Sequence, residues 1–75
     1  MHIALRTQYK ILGFAPDISP EFQQKLLLQG LRPGSSFRVT AAAPFGGPVK
    51  IENRYAVLAL RRQDLSHLQL EQLNG

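Results

Sequence analysis

Hydrophobic and polar positions divide this chain into one helical stretch and several short alternating ones. Phe22, Leu26 and Leu27 cluster on one side of a helical wheel, with Gln24 and Lys25 opposite. Leu28 falls off that stripe, among the polar positions. Ser19-Pro20-Glu21 supplies a capping hydroxyl, a proline suited to the first helical position and an acid at the positive helix end. Gly30 supplies a left-handed stop. These signals predict a helix over residues 19–29. From Ser36 the period switches to two. Phe37, Val39 and Ala41 share one face, and Arg38 and Thr40 take the other. Val49 and Ile51 point in while Lys50 and Glu52 point out, so the glycine-rich Phe45-Gly46-Gly47-Pro48 connection closes a hairpin.

The rest of the chain follows the same logic. Pro33-Gly34 forms a type II turn, with proline fixing the first corner and glycine allowing positive φ at the second. Tyr9 to Gly13 has strand character, Phe14 follows it, and Ala15-Pro16-Asp17 turns the chain. Residues 1–7 read as loose or as a peripheral strand. After an Asn53-Arg54 turn, Tyr55 to Leu60 is apolar on both faces, which predicts a central strand. Gln63 to Ser66 reads as a single helical turn, and Leu68-Gln69-Leu70-Glu71 as the closing strand. The expected fold is mainly β: a small SH3-like β-barrel of about five strands with one inserted N-terminal α-helix. Closing the sheet on itself removes exposed edges.

Composition narrows the class. The 75 residues are expected to form a single domain, residues 1–75. A domain this small buries only about 60% of the surface its unfolded chain exposes. A hydrophobic fraction of 44% with 19% charged residues suits a folded domain rather than a disordered tail. The absence of cysteine excludes disulfides, thiolate metal sites and iron–sulfur clusters within the chain. Apolar runs such as Ala56 to Leu60 fall far short of the roughly 20 residues of a membrane span. With no signal-peptide pattern at the N-terminus, any part in a membrane process is expected from the aqueous side, and the lack of cysteine fits a cytoplasmic location. The net charge of +4 comes from scattered residues, with only Arg61-Arg62 adjacent, and speaks to solubility and encounter more than to function.

An ordered set of residues carries a resemblance: Gly13, Lys25-Leu26-Leu27, Gly30, Pro33-Gly34, Ala43-Pro44, Gly46, Pro48, Ile51 and Ala59-Leu60-Arg61-Arg62. From about Tyr9 to Glu71 the chain resembles the bacterial ferrous iron transport protein A family, FeoA. That resemblance implies a small cytoplasmic SH3-like barrel. It implies a partner as well: FeoB, the Fe(II) permease, through its cytoplasmic GTP-binding region. The barrel type is also similar to the C-terminal domain of certain metal-dependent repressors, but no helix-turn-helix segment accompanies it here. Gln29 stands where the family often has Leu, Gly46-Gly47-Pro48 where Gly-Asp-Pro is common, and Arg54-Tyr55 where a glycine is common. The departures fall on loops and the helix end.

Candidate chemistry is sparse. His2 and His67 are the histidines, with Asp64 and Glu71 near His67 in sequence. A ferrous site needs several imidazole and carboxylate ligands with supporting contacts, so both read as surface histidines and no intrachain metal site is expected. A site shared between copies, and self-association, stay open. Asp64, Ser66 and His67 have the residue types of a hydrolase triad but sit too close on one turn to aim at one another. Gly46-Gly47 lacks the Lys-Ser/Thr of a phosphate-binding loop. Neither a catalytic residue nor a cofactor is expected. Phe22 and Phe37 are assigned to the core. Leu28, Phe45, Arg54 and Tyr55 are the apolar, aromatic and arginine side chains that the core pattern leaves over, and these form the candidate partner-binding set. The alternative is a small basic nucleic-acid-binding barrel using Phe45 and Tyr55 with Arg38, Lys50 and Arg54.

Overall fold

In the computed structural model, which describes residues 3–73, the alternating segments become one five-stranded antiparallel sheet. The elements are β1 (Gln8–Phe14), α1 (Pro20–Leu28), β2 (Ser36–Ala42), β3 (Val49–Glu52), β4 (Val57–Leu60), α2 (Arg62–Leu65) and β5 (Leu68–Leu73). Strand order is β4-β3-β2-β1-β5. Ile11, Leu26, Leu31, Phe37, Val39, Val49, Ile51 and Leu65 are fully enclosed, and the Tyr9 and Phe37 rings stack at 5.8 Å between centroids. Phe22 lies half-buried against this core.

Helix α1 begins and ends where the local chemistry dictates. The Ser19 hydroxyl accepts a hydrogen bond from the Phe22 N–H at 3.2 Å. At the other end Gly30 takes φ +84°. Its N–H donates to the Leu27 carbonyl and that of Leu31 to the Leu26 carbonyl, at 3.0 and 2.9 Å. This is the Schellman pattern, completed by two buried leucines, Leu26 and Leu31. The next turn is closed by the Ser35 N–H donating to the Arg32 carbonyl, with Gly34 at φ +91°.

Four expectations are corrected. The apolar run before Leu60 is not a central strand. β4 starts at Val57 and lies at the sheet margin, with Val57 54% exposed and Ala59 exposed, while Leu60 is buried. Apolarity on both faces suggested double burial, but only one face of β4 meets the core. Second, the SH3-like sheet does not close into a barrel through backbone pairing, because β4 and β5 are its two edges. α2 connects them and inserts Leu65 into the core. Third, Ala41 does not share the inner face with Phe37 and Val39. The register against β3 shifts between Val39 and Ala41, a bulge that leaves Ala41 exposed and Ala42 packed against the core. Fourth, residues 3–7 are neither loose nor a strand. Ile3 is buried, the Arg6 N–H donates to the Val39 carbonyl, and the Val39 N–H donates to the Thr7 carbonyl. The Tyr9 hydroxyl accepts from the Ala4 N–H at 2.9 Å. His2 lies outside the described residues.

Candidate functional site

The turn after β3 is built by one side chain. Asn53 Oδ1 accepts from the N–H groups of Tyr55 and Ala56, each at 2.8 Å, and Asn53 Nδ2 donates to the Gln29 carbonyl at 3.2 Å. Asn53 therefore shapes residues 53–56 and ties them to the end of α1. Tyr55 lies against Gly30: a Cβ on Gly30 would sit 3.1 Å from Tyr55 Cδ2. The glycine that ends the helix also admits this ring. Tyr55 remains 70% exposed, and Leu28, two residues before Gly30 in the last turn of α1, is 78% exposed.

Beside this junction runs a cleft of about 540 Å³ whose charged lining is Arg32, Arg38, Arg54 and Glu52. Arg38 and Glu52 are cross-strand partners on the outer face of the sheet. Three guanidinium groups against one carboxylate leave the cleft net positive. Planar, multiply donating arginines suit carboxylate or phosphate groups.

At the other end of the β2–β3 hairpin the Gly47 N–H donates to the Pro44 carbonyl. The two residues between them, Phe45 and Gly46, both have positive φ, +58° and +76°. This is the sign pattern of a type I′ turn, which glycine, asparagine and aspartate normally fill. Phenylalanine in this backbone region is an outlier. Its ring is also fully exposed, at 104% of the reference area, so the strain is not offset by burial. Gly47 is required by close approach, since a Cβ there would stand 2.8 Å from Ala43 Cβ.

The structure thus places Leu28, Arg54 and Tyr55 around the helix-end junction and Phe45 at the opposite end of β3. Between the two ends lies a shallow apolar face lined by Ala41, Ala43, Pro48, Val57 and Ala59, with Lys50 on its border. Arg32 and Asn53 were missed in the candidate set. An Asn opening a turn is a recognisable Asx signal, whereas the placement of Arg32 in the cleft depends on tertiary packing. His67 sets its ring edge-on to Phe22, centroids 5.4 Å apart, in a small hollow with Asp17, Ser19 and Asp64. Among the described residues no group of three or more His, Asp or Glu side chains is placed to hold a metal. Among them, too, no helix is long and apolar enough to cross a membrane.

A short, mainly β, SH3-like sheet with one capped helix defines the fold class. Solved structures agree. A Pseudomonas aeruginosa protein solved by NMR is similar at 44% identity, covering 95% of this chain and 97% of its own, with a TM-score of 0.75. A FeoA-like protein from Clostridium acetobutylicum is similar at 22% identity, covering 97% and 83%, with a TM-score of 0.82. Stenotrophomonas maltophilia FeoA, solved with zinc, is similar at 18% identity, covering 92% and 84%, with a TM-score of 0.76. That protein is described as a prokaryotic SH3-domain protein and suggested as a ferrous iron transport activating factor. The family model described as FeoA domain matches residues 2–72, and the chain belongs to the FeoA family, which is associated with ferrous iron transport.

Proposed function

We propose that this chain is a cytoplasmic accessory protein of a FeoB-type ferrous iron permease. It binds the permease's cytoplasmic GTP-binding region and modulates its assembly or nucleotide cycle, with no catalysis of its own. Family membership supports the transport role. The observation that carries a contact role is Phe45, a fully exposed aromatic held in a strained backbone conformation that contributes nothing to the core. Such strain persists where a surface is used, and exposed aromatics with arginine are frequent binding anchors. Leu28, Arg54 and Tyr55 form the second anchor region, next to the positive cleft. Fe(II) is the cargo of the permease in this reading and not a ligand of the chain.

The test is capture of the permease from native membranes by the tagged chain. Phe45→Ala and Arg54→Ala keep the NMR fingerprint of the fold, yet reduce co-purification and slow Fe(II) uptake. Wild-type co-purification and uptake in both variants refute the assignment of this surface. A second reading, binding of nucleic acid, is favoured by one feature, the cleft that groups Arg32, Arg38 and Arg54 with Tyr55. Retention of RNA or DNA that falls steeply with salt, with no permease captured, selects it.

A further inference from the structure

We infer that β4 is a strand-addition site: an extended, acidic segment of the partner pairs with its free edge. The inference rests on the accessory-protein reading and adds the mode of contact. β4 bonds to β3 in continuous register from Val49–Leu60 to Glu52–Val57. Among the described residues no backbone group bonds to its other edge. Alternate N–H and C=O groups of a marginal strand face outward, a ready template for another chain.

Natural edges are blunted by charge, proline or bulges. β5, the other margin, exposes Gln69, Glu71 and Gln72 and is interrupted by a register shift opposite β1. β4 is Val-Leu-Ala-Leu, with no charge, no proline and no shift against β3. Its exposed side chains, Val57 and Ala59, continue the apolar face of Ala41, Ala43 and Pro48. The strand also bridges the two anchor regions, from the Tyr55 turn at its start to the Phe45 hairpin end near Leu60. A segment of roughly four to six extended residues, at about 3.3 Å each, spans that distance.

Charge selects the occupant. Lys50, Arg54 and Arg61 are exposed around β4 and Arg62 follows directly, against one exposed carboxylate, Glu52, opposite Val57. A second copy brings the same basic groups and a further +4 of net charge, so like meets like. An acidic strand brings the opposite sign, with its carboxylates on the face that carries Lys50 and Arg61 and its alternate apolar side chains beside the half-buried Leu58. Main-chain bonds supply affinity in this mode, and side chains supply selectivity.

Amide hydrogen exchange of the labelled chain tests this with two probes. One is a short peptide alternating valine and glutamate, with a valine–lysine peptide as control. The other is the detergent-solubilised permease. The expected result is at least a tenfold slowing of alternate β4 amides with the glutamate peptide and with the permease, and none with the lysine peptide. Lys50→Glu is expected to weaken both interactions about tenfold while leaving exchange in the free chain unchanged. A permease complex that forms with β4 exchange unaltered overturns the inference and leaves the accessory reading standing. Protection by the glutamate peptide without any permease complex supports the edge and overturns the accessory reading. No protection by either probe overturns the inference, as does protection that appears in the chain alone as its concentration rises, which assigns the edge to a second copy.

Discussion

Replacing Phe45 by asparagine should make the fold more stable and the protein less functional. The backbone at this residue has φ +58°. An ordinary L-residue pays about 1–2 kcal/mol for that conformation, whereas asparagine visits it readily. The usual opposing term, lost burial of an aromatic ring, vanishes because the ring is 104% exposed. The turn hydrogen bond from the Gly47 N–H to the Pro44 carbonyl does not involve the side chain. Phe45→Asn is therefore expected to stabilise the fold by about 1 kcal/mol. For a domain of this size that raises Tm by about 4–8 °C, measurable by calorimetry or by urea unfolding followed by circular dichroism. The same substitution removes the proposed aromatic anchor. Losses above about 1 kcal/mol are typical of such anchors, so permease capture should weaken by about fivefold or more. A lower Tm in Phe45→Asn refutes the strain argument. A higher Tm with undiminished capture refutes the assignment of the ring to a partner. Phe45→Gly separates the terms, since it relieves the same strain but returns part of the gain through a more flexible unfolded chain.

Asn53→Ala removes three hydrogen bonds, at 2.8, 2.8 and 3.2 Å, and should cost about 2 kcal/mol in urea unfolding at a net of about 0.5–1.5 kcal/mol per bond; a loss below about 0.5 kcal/mol contradicts the tether. Gly30→Ala combines φ +84° with a Cβ 3.1 Å from Tyr55 Cδ2 and should cost at least about 1–2 kcal/mol while shifting the Tyr55 ring resonances in NMR spectra; unmoved Tyr55 signals contradict the ring's placement. Calorimetric titration with Fe(II) or Zn(II) should give no stoichiometric submicromolar binding by the monomer, and His67→Ala should leave the weak heat unchanged, because two histidines without cysteine rarely make such a site; tight stoichiometric binding contradicts this.

Legibility in the sequence tracked how locally each feature is determined. Ser19, Pro20 and Gly30 act within one turn of the chain, and they place both ends of α1 where the structure has them. Pro33-Gly34 and the hairpin around Gly46-Gly47 are equally local. The features that escaped are those set by a strand's neighbours. Nothing in Val-Leu-Ala-Leu reveals that β3 flanks it on one side only, nor does Thr40 announce the bulge that turns Ala41 outward. Ile3 reaches the core because Arg6 and Thr7 bond to Val39, a pairing across more than thirty residues of chain. The site divides in the same way. The core pattern left Leu28, Phe45 and Tyr55 over without fixing their exposure, which the structure supplies, and the cleft that gathers Arg32 with Arg38 and Arg54 depends on the helix end meeting the β3–β4 turn.

That meeting links the fold to the proposed contact surface through one residue. Gly30 has positive φ because the helix must end there, and the hydrogen that stands in place of a side chain leaves the space in which Tyr55 rests. Asn53 then holds the turn by bonding to the carbonyl of Gln29, one residue earlier. The conformation that satisfies the last carbonyls of α1 thus also fixes the start of β4 and one wall of the arginine cleft. A change at Gly30 should accordingly be felt as a displaced Tyr55 and a reshaped cleft before it is felt as a lost helix. This coupling is a reason for the contact surface to sit at the helix end: there the backbone is already fixed by the fold, and a partner does not have to order it.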